Sequence, residues 1–412
     1  MRLETCFRSG LFATPFLLAS LAAPTFAKAD TKTGAPVEFA DGARFDPILD
    51  MRLRYETVDQ DSAANNADAL TIRMRAGGEV TFDGLSILAE AEGTLGIIND
   101  YNDTIPGNGI EPFPVVADPQ NIELNRLQLS YTHEGSSVTI GRQRIIHDNA
   151  RFVGNVGWRQ NEQTFDAVRA QTSIGPVSLD AAYSLSQRTI FGFDSPNQHF
   201  DGDFYLINSG VDIGPVKARG FAYLLDYDSR IVFSSQTWGL SVNAALPLGD
   251  GKVKLAASYA RQSDYKANPV NYAADYFAGS LGVDVRGLSL SAGYEELGSD
   301  GGVAAFQTPL ATLHAFNGWA DMFLTTPAAG LRDTYIGASY ALPVRTVSGL
   351  KASITWHRFE SDFGGMKYGK EWDASLGFSL GPVGLLAKYA RYDADAFATD
   401  TEKFWLQAEY KF

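Results

Sequence analysis

LTIRMRAGGEVTF (Leu70–Phe82) places Leu70, Ile72, Met74, Ala76, Gly78, Val80 and Phe82 on one side of an extended chain. Thr71, Arg73, Arg75, Gly77, Glu79 and Thr81 fall on the other. Thirteen residues alternate without a break, and a period of two is that of a strand whose faces meet different surroundings. LSILAEAEGTLGI (85–97) and ILDMRLRYE (48–56) repeat the pattern. A strand of a globular protein averages about 5–6 residues, whereas these runs have the length that crosses a membrane at a tilt.

The connections carry a second signal. TFDGLSI, THEGSSV, SIGPVSL, DIGPVKA, DVRGLSL and SLGPVGL (81–87, 132–138, 173–179, 212–218, 284–290 and 379–385) are tight reversals built on Gly, often with Pro beside it. Long polar connections lie between them: 57–68, 98–120, 145–164, 187–202, 227–235, 263–272, 298–331, 360–369 and 394–402. Short and long alternate throughout. The parse gives about eighteen strands, an even number with short turns at one end and long loops at the other. The fold class is therefore all-β: a transmembrane antiparallel up-and-down barrel with short periplasmic turns and long extracellular loops.

Both ends of the chain fit this reading. Arg2 and Arg8 precede the apolar stretch Gly10–Ala23, which is too short to span a bilayer, and small residues follow. Residues 1–29 are expected to be an export signal, 30–45 a periplasmic segment and 46–412 the barrel. The one cysteine, Cys6, lies within the signal, so no disulfide framework is expected. Loss of three basic groups and one acid with that signal takes the net charge from −14 to about −16, which argues against a nucleic-acid partner. The terminal EKFWLQAEYKF (402–412) alternates to its last residue. A barrel needs such a strand to close against the first, because unpaired backbone in lipid is costly. A terminal aromatic suits the periplasmic girdle and resembles the signal read by the outer-membrane assembly machinery. Lipid and lipopolysaccharide are the expected surroundings, and no cofactor is implied.

About eighteen strands enclose an aqueous bore. Inward parity gives Arg52, Arg54, Arg73, Arg75, Arg126, Arg169, Lys217 and Arg219 as basic lining, with Asp50, Glu79, Glu90 and Glu92 among them. Two readings stand: a ladder favouring anions, or arginines and acids that pair and hold the wall. Arg142, Arg144, Arg151 and Arg159 crowd the third long connection with Asn149. Phe152, Val153, Val156 and Trp158 in that connection favour tucking into the bore. Arg142 and Arg144 share parity with Val138 and Ile140, so a bulge near the outer rim is expected to re-aim them. In the longest connection, Leu310, Leu313, Phe316, Trp319, Met322 and Phe323 are too apolar for an exposed loop, and 309–324 is expected to form a short helix over or inside the mouth. NDYND (99–103) is either polar turn chemistry or a Ca²⁺ site. The five histidines are scattered without metal spacing, and no hydrolase motif is present.

GRQRIIHDNARFVGNVGWRQNEQTFDA (141–167) and FQTPLATLHAFNGWADMFLTTPAAGLRDTYIGASY (306–340) resemble segments of the alginate export family of outer-membrane proteins. The likeness runs from about residue 44 to Phe412. It implies a monomeric barrel of eighteen strands with a basic bore, passing an anionic polysaccharide. Residue by residue, it places Arg142, Arg144, Asn149, Arg151, Trp158 and Arg159 at or near the selective constriction. The expected function is an outer-membrane channel for anionic solutes or an alginate-like polysaccharide. The alternatives are a loop-plugged barrel acting as a surface binding or structural protein, and an outer-membrane hydrolase.

Overall fold

The computed structural model describes residues 34–412 other than Asp41 and Arg345; the expected export signal lies outside the described residues. Eighteen strands, β2 to β19, form one closed antiparallel barrel. They are β2 (Ala43–Gln60), β3 (Ala67–Phe82), β4 (Leu85–Asp100), β5 (Asn121–His133), β6 (Ser136–Gln143), β7 (Thr164–Ile174), β8 (Val177–Arg188), β9 (His199–Ile213) and β10 (Val216–Tyr227). β11 (Ser235–Leu248), β12 (Gly251–Asp264), β13 (Ala273–Val285), β14 (Leu288–Leu297), β15 (Leu331–Ala341), β16 (Ser348–Glu360), β17 (Lys367–Leu380), β18 (Val383–Ala394) and β19 (Thr401–Lys411) complete it. A short strand, β1 (Val37–Ala40), pairs with the start of β2. Closure is between β19 and β2, from Thr401↔Gln60 to Lys411↔Asp50, and the Phe412 amide adds a bond to the Leu49 carbonyl.

Seven of the eight connections at one end are two residues long. Asp83 and Gly84 both have positive φ, at 47° and 79°, the geometry whose twist matches that of the strands it joins. Gly175 at φ 60°, followed by Pro176, gives the companion geometry in which only the first turn residue is left-handed. Strands reach further into the long connections than the sequence indicated: β2 extends to Gln60 and β3 begins at Ala67.

Burial runs opposite to that of a water-soluble sheet. On β3 the outward Met74 is 51% exposed while the inward Arg73 is wholly buried. A side chain such as Met74 is stable there because hydrocarbon surrounds it, and the charged face is stable because partners within the bore satisfy it. Gly77 serves close packing of this wall: a β-carbon there would sit 2.0 Å from the Ala89 carbonyl oxygen and 2.7 Å from Glu90 Cα. Gly77→Ala is expected to force the β3–β4 ladder apart and to destabilise the barrel by roughly 1–3 kcal/mol. A fall in the urea midpoint of detergent-solubilised protein, absent from Ala76→Gly, checks it.

The bore is not empty. Connections 144–163 and 298–330 turn inward and pair with each other, through a parallel bridge of Val153 with Leu310. The Gly154 amide donates to the Leu310 carbonyl at 2.9 Å, and the Thr312 amide to the Ala150 carbonyl at 3.0 Å. Val153, Leu310, Phe306, Trp319, Ala320 and Phe323 join Phe165, Phe204, Tyr276, Phe359 and Trp405 of the wall in one apolar core. Apolar side chains in a long connection thus find their burial inside the barrel, as the sequence indicated for 145–164.

Two local expectations are corrected. Residues 309–324 do not form a helix; the segment holds one 3₁₀ turn, Leu313–Ala315. Asn317 and Gly318 are left-handed, at φ 56° and 84°, which ends a right-handed helix. The amides of Ala320 and Trp319 donate instead to Glu371 and Asp373 of β17, at 2.7 and 3.3 Å. The bulge expected at Arg142 is also missing, since β6 keeps unbroken register with β5 up to Arg142 and with β7 up to Gln143. Arg142 therefore stays on the side of Val138 and Ile140, not in the bore, and forms a two-point pair with Asp166 at 2.8 and 3.0 Å. Arg144 lies past the end of β6 and reaches Glu162. A bulge does occur one strand earlier. Asn125 is the extra residue between Arg126↔Glu90 and Leu124↔Ala91, and it lets both Asn125 and Arg126 bind Glu90.

Candidate functional site

β2, β3 and β19 carry the basic wall, and inward parity stacks its arginines in cross-strand register: Arg52 faces Arg73, and Asp50 faces Arg75. Bare guanidinium groups so placed would repel one another. Each has a partner. Arg52 donates through Nη1 to the carbonyls of Gly157, Trp158 and Arg159 at 3.2, 3.0 and 3.2 Å, and through Nη2 to Glu409 at 2.8 Å. Arg54 donates to the Trp158 carbonyl and Gln407, lies 3.6 Å from Asp118, and stacks on the Trp158 ring at 4.0 Å. Arg73 pairs with Asp50 and Glu409, while Arg75 pairs with Glu92 and donates to the Gln160 carbonyl at 3.3 Å. The wall thus holds the inward connection 144–163 by its backbone carbonyls.

The other expected lining residues are equally engaged. Arg126 is bound to Glu90, Arg144 to Glu162, Arg169 to Asp180, and Arg219 to Asp212 at 2.6 Å. Arg151 spans the two connections: it meets Glu295 at 2.6 Å, Thr308 at 2.9 Å and Asn317 at 3.3 Å. Asn149 accepts from the Arg151 amide at 3.2 Å. Arg159 reaches Glu56 at 3.1 Å and Asp321 at 3.0 Å. Arg52, Arg54 and Arg75 contact connection 144–163, as do Arg169 through the Arg144 carbonyl at 3.4 Å and Arg219 through Asp148 at 3.7 Å. Arg144, Arg151 and Arg159 lie on that connection, Arg73 is held by Asp50 and Glu409, and Arg142 faces out. Asn102 and Asp103 of the NDYND stretch accept from the amides of Thr104 and Ile105 at 2.9 Å each. Among the described residues there is no group of side chains placed to hold a metal.

Beside the basic wall is a buried polar set that charge counting did not identify. Glu295 (β14), Asp333 (β15), Glu371 and Asp373 (β17) are buried on the strands that lead round to β19. His357 lies 3.0 Å from Asp333 and 3.6 Å from Asp373. On β18, Lys388 Nζ sits 3.7 Å from the Trp319 ring centre, 3.9 Å from Trp158 and 5.3 Å from Trp405. A desolvated ammonium among aromatic faces is held by their quadrupoles. It also donates to His314 Nε2 at 2.7 Å. An ammonium only donates, so that nitrogen is the acceptor and Nδ1 carries the proton that His314 gives to Asp321 at 2.8 Å. Burial pulls the His314 imidazole down to about 3, against the attraction of Asp321, in keeping with this neutral form. Burial alone would raise Asp321, but His314, Lys403 and Arg159 hold it well below the usual carboxylate range. Lys388 and Trp405 are cross-strand partners; neither was singled out from the sequence, and their shared inward parity is the signal that could have found the cluster.

A cavity of 420 Å³ lies among the long connections and the two that turn inward. Phe191, Phe200, Phe233, Leu313, Phe323 and Leu324 give it apolar walls, and Arg151, Arg159, Arg230 and Lys403 supply cations, with Asp321 beside them. Such a space takes a small solute with an apolar body and a polar end.

No family model and no curated protein matches the sequence. Solved structures do. OpdK of Pseudomonas aeruginosa, solved with vanillate, has a TM-score of 0.70 at 14% identity, over 91% of this chain and 100% of that one. OpdO of Pseudomonas aeruginosa gives 0.68 at 16% identity, over 89% and 97%. OccAB3 of Acinetobacter baumannii gives 0.67 at 14%, over 89% and 99%. At these identities the likeness is one of architecture. The chain is a closed antiparallel barrel of eighteen strands, of the outer-membrane type.

Proposed function

We propose that this barrel is an outer-membrane channel admitting small anionic solutes. The observation that carries the reading is the mouth cavity of 420 Å³, apolar at its sides and cationic at Arg151, Arg159 and Lys403. Low-dielectric walls focus the field of these charges and raise the local concentration of anions, an effect that salt weakens. Vanillate, with which the similar OpdK barrel was solved, is a small aromatic carboxylate, and a solute of that chemistry suits the cavity. An alginate-like chain fits this proposal only with both inward connections withdrawn, because they bridge the bore from wall to wall. Residues 1–29 as export signal, 30–45 as periplasmic segment, Phe412 as the contact for the assembly machinery and a monomeric barrel among lipopolysaccharide belong to the same proposal.

Reversal potentials in planar bilayers test it. The expected result is chloride more permeant than potassium, with selectivity falling as salt rises from 0.1 to about 1 M. Potassium more permeant than chloride at every salt concentration overturns the anion reading. A second reading, a plugged barrel that binds at the cell surface, is favoured by the apolar core spanning the bore; it expects no current until connection 144–163 or 298–330 is removed.

A further inference from the structure

Arg230 differs from the other arginines. Among the described residues it is the one arginine whose side chain has neither an ion pair nor a hydrogen bond, and two aromatic rings flank it instead. It lies on the connection from β10 to β11, at the start of the 3₁₀ turn Ile231–Phe233. Its guanidinium carbon sits 4.4 Å from the centre of Phe200 and 4.2 Å from that of Phe233. Phe200 is buried in the apolar core and Phe233 packs against it. A guanidinium is a flat fork whose donors all lie in its plane. Rings beside it hold that plane but take none of the donors, so the N–H edge keeps its full capacity. All three residues line the mouth cavity.

The physical cost of this arrangement is informative. Burial lowers the tendency of Arg230 to hold its proton, and only Tyr227 opposes that; no carboxylate of the protein compensates it. Elsewhere in the bore, each buried guanidinium has been given an acid or a carbonyl. Here the stabilising anion is missing from the chain and the space beside the fork is open.

We infer that Arg230 is the specificity-determining residue of the mouth, reading a carboxylate borne on a flat apolar body through its in-plane N–H edge. The carboxylate takes the two-point geometry that guanidinium groups favour. The body of the solute then lies against the apolar side of the cavity, whose lining includes Phe191 and Phe323. A bare halide gains the charge but not the fork or the apolar contact, and a neutral amide gains the contact without the charge. This inference deepens the channel reading and rests on it only for its consequence in permeation.

The test uses the full barrel and benzoate as probe, with acetate and benzamide as comparisons. Benzoate added on the loop side of a bilayer is expected to interrupt chloride current at lower concentration than acetate, and benzamide is expected to leave the current alone. Arg230→Gln is expected to weaken the benzoate block on the order of tenfold or more, the loss of a charged hydrogen-bonding partner. Arg230→Lys, which keeps the charge and loses the fork, is expected to recover only a minor part. Arg286→Gln, in the two-residue turn at the opposite end, is the control and leaves the block unchanged. Wild-type block that Arg230→Gln does not weaken overturns the inference while leaving the channel reading intact. If the wild type carries no current, the channel reading fails, and calorimetric titration of benzoate into the detergent-solubilised barrel decides the residue. Binding lost in Arg230→Gln supports the assignment, and no wild-type binding, or binding equal in both, overturns it. Circular dichroism and heat-modifiable migration of the variants establish that each is folded.

Discussion

Replacing residues 298–330 by a short turn is expected to raise single-channel conductance several-fold. Leu297 and Leu331 are direct cross-strand partners, so a turn of a few residues joins β14 to β15 without displacing either. The excised segment contributes Phe306, Leu310, Trp319, Ala320 and Phe323 to the core within the bore. Its loss also removes two of the three rings around Lys388, directly for Trp319 and by release of Trp158, whose stacking partner His314 leaves with it. What remains is the open interior that eighteen strands enclose. A milder variant reports on the same cluster: Lys388→Met keeps the volume and removes the ammonium that ties β18 to both connections, and is expected to give frequent transient openings. Conductance unchanged by the excision, in a barrel still folded by heat-modifiable migration, would show that these connections do not set the constriction.

The second large effect is on stability. Arg151→Leu is expected to cost about 3–5 kcal/mol, the usual consequence of removing one partner from a buried ion pair. Arg151 is 1% exposed, and its fork joins Glu295 on the wall to Thr308 and Asn317 of the longest connection. Without it Glu295 retains the Tyr276 hydroxyl at 2.6 Å and the Asn317 amide at 2.7 Å, but no cation in contact. The double change Arg151→Leu with Glu295→Leu is expected to recover much of the loss, since replacing both members of a buried pair by apolar groups is often neutral. Urea midpoints of the wild type, both single variants and the double variant give the coupling directly. A cycle with zero coupling would place the stabilising contribution of Arg151 in Thr308 and Asn317 instead.

Membrane barrels of this kind announce their strands locally. Lipid on one side and a polar interior on the other force a period of two onto each crossing, so LTIRMRAGGEVTF contains the orientation of every one of its side chains. The structure leaves Met74 outward and Arg73 inward. Turns such as Phe82-Asp83-Gly84-Leu85 are equally local, because two residues with positive φ need small or polar side chains nearby in sequence. Trp405 and Lys388 inside the bore follow from the same parity.

Long-range matters were not legible in this way. The lining candidates rest on charge and parity, and neither says which acid or carbonyl a guanidinium meets. Arg52 binds backbone oxygens more than a hundred residues along the chain, and Arg151 binds a carboxylate on β14. The apparent helix at 309–324 failed for a related reason: its amides found better acceptors on β17 than its own carbonyls.

The chain alone therefore determined the strand count, the short turns, the closure of last strand on first and, outside β5 and β6, the side of the wall that strand residues face. All of these follow from interactions between residues close in sequence and the two solvents they meet. Only the tertiary structure decided that the arginines of the wall grip an inward connection, and that Arg230 is left with aromatic faces and no acid. Those outcomes depend on which side chains distant in sequence the closed barrel brings within hydrogen-bond reach.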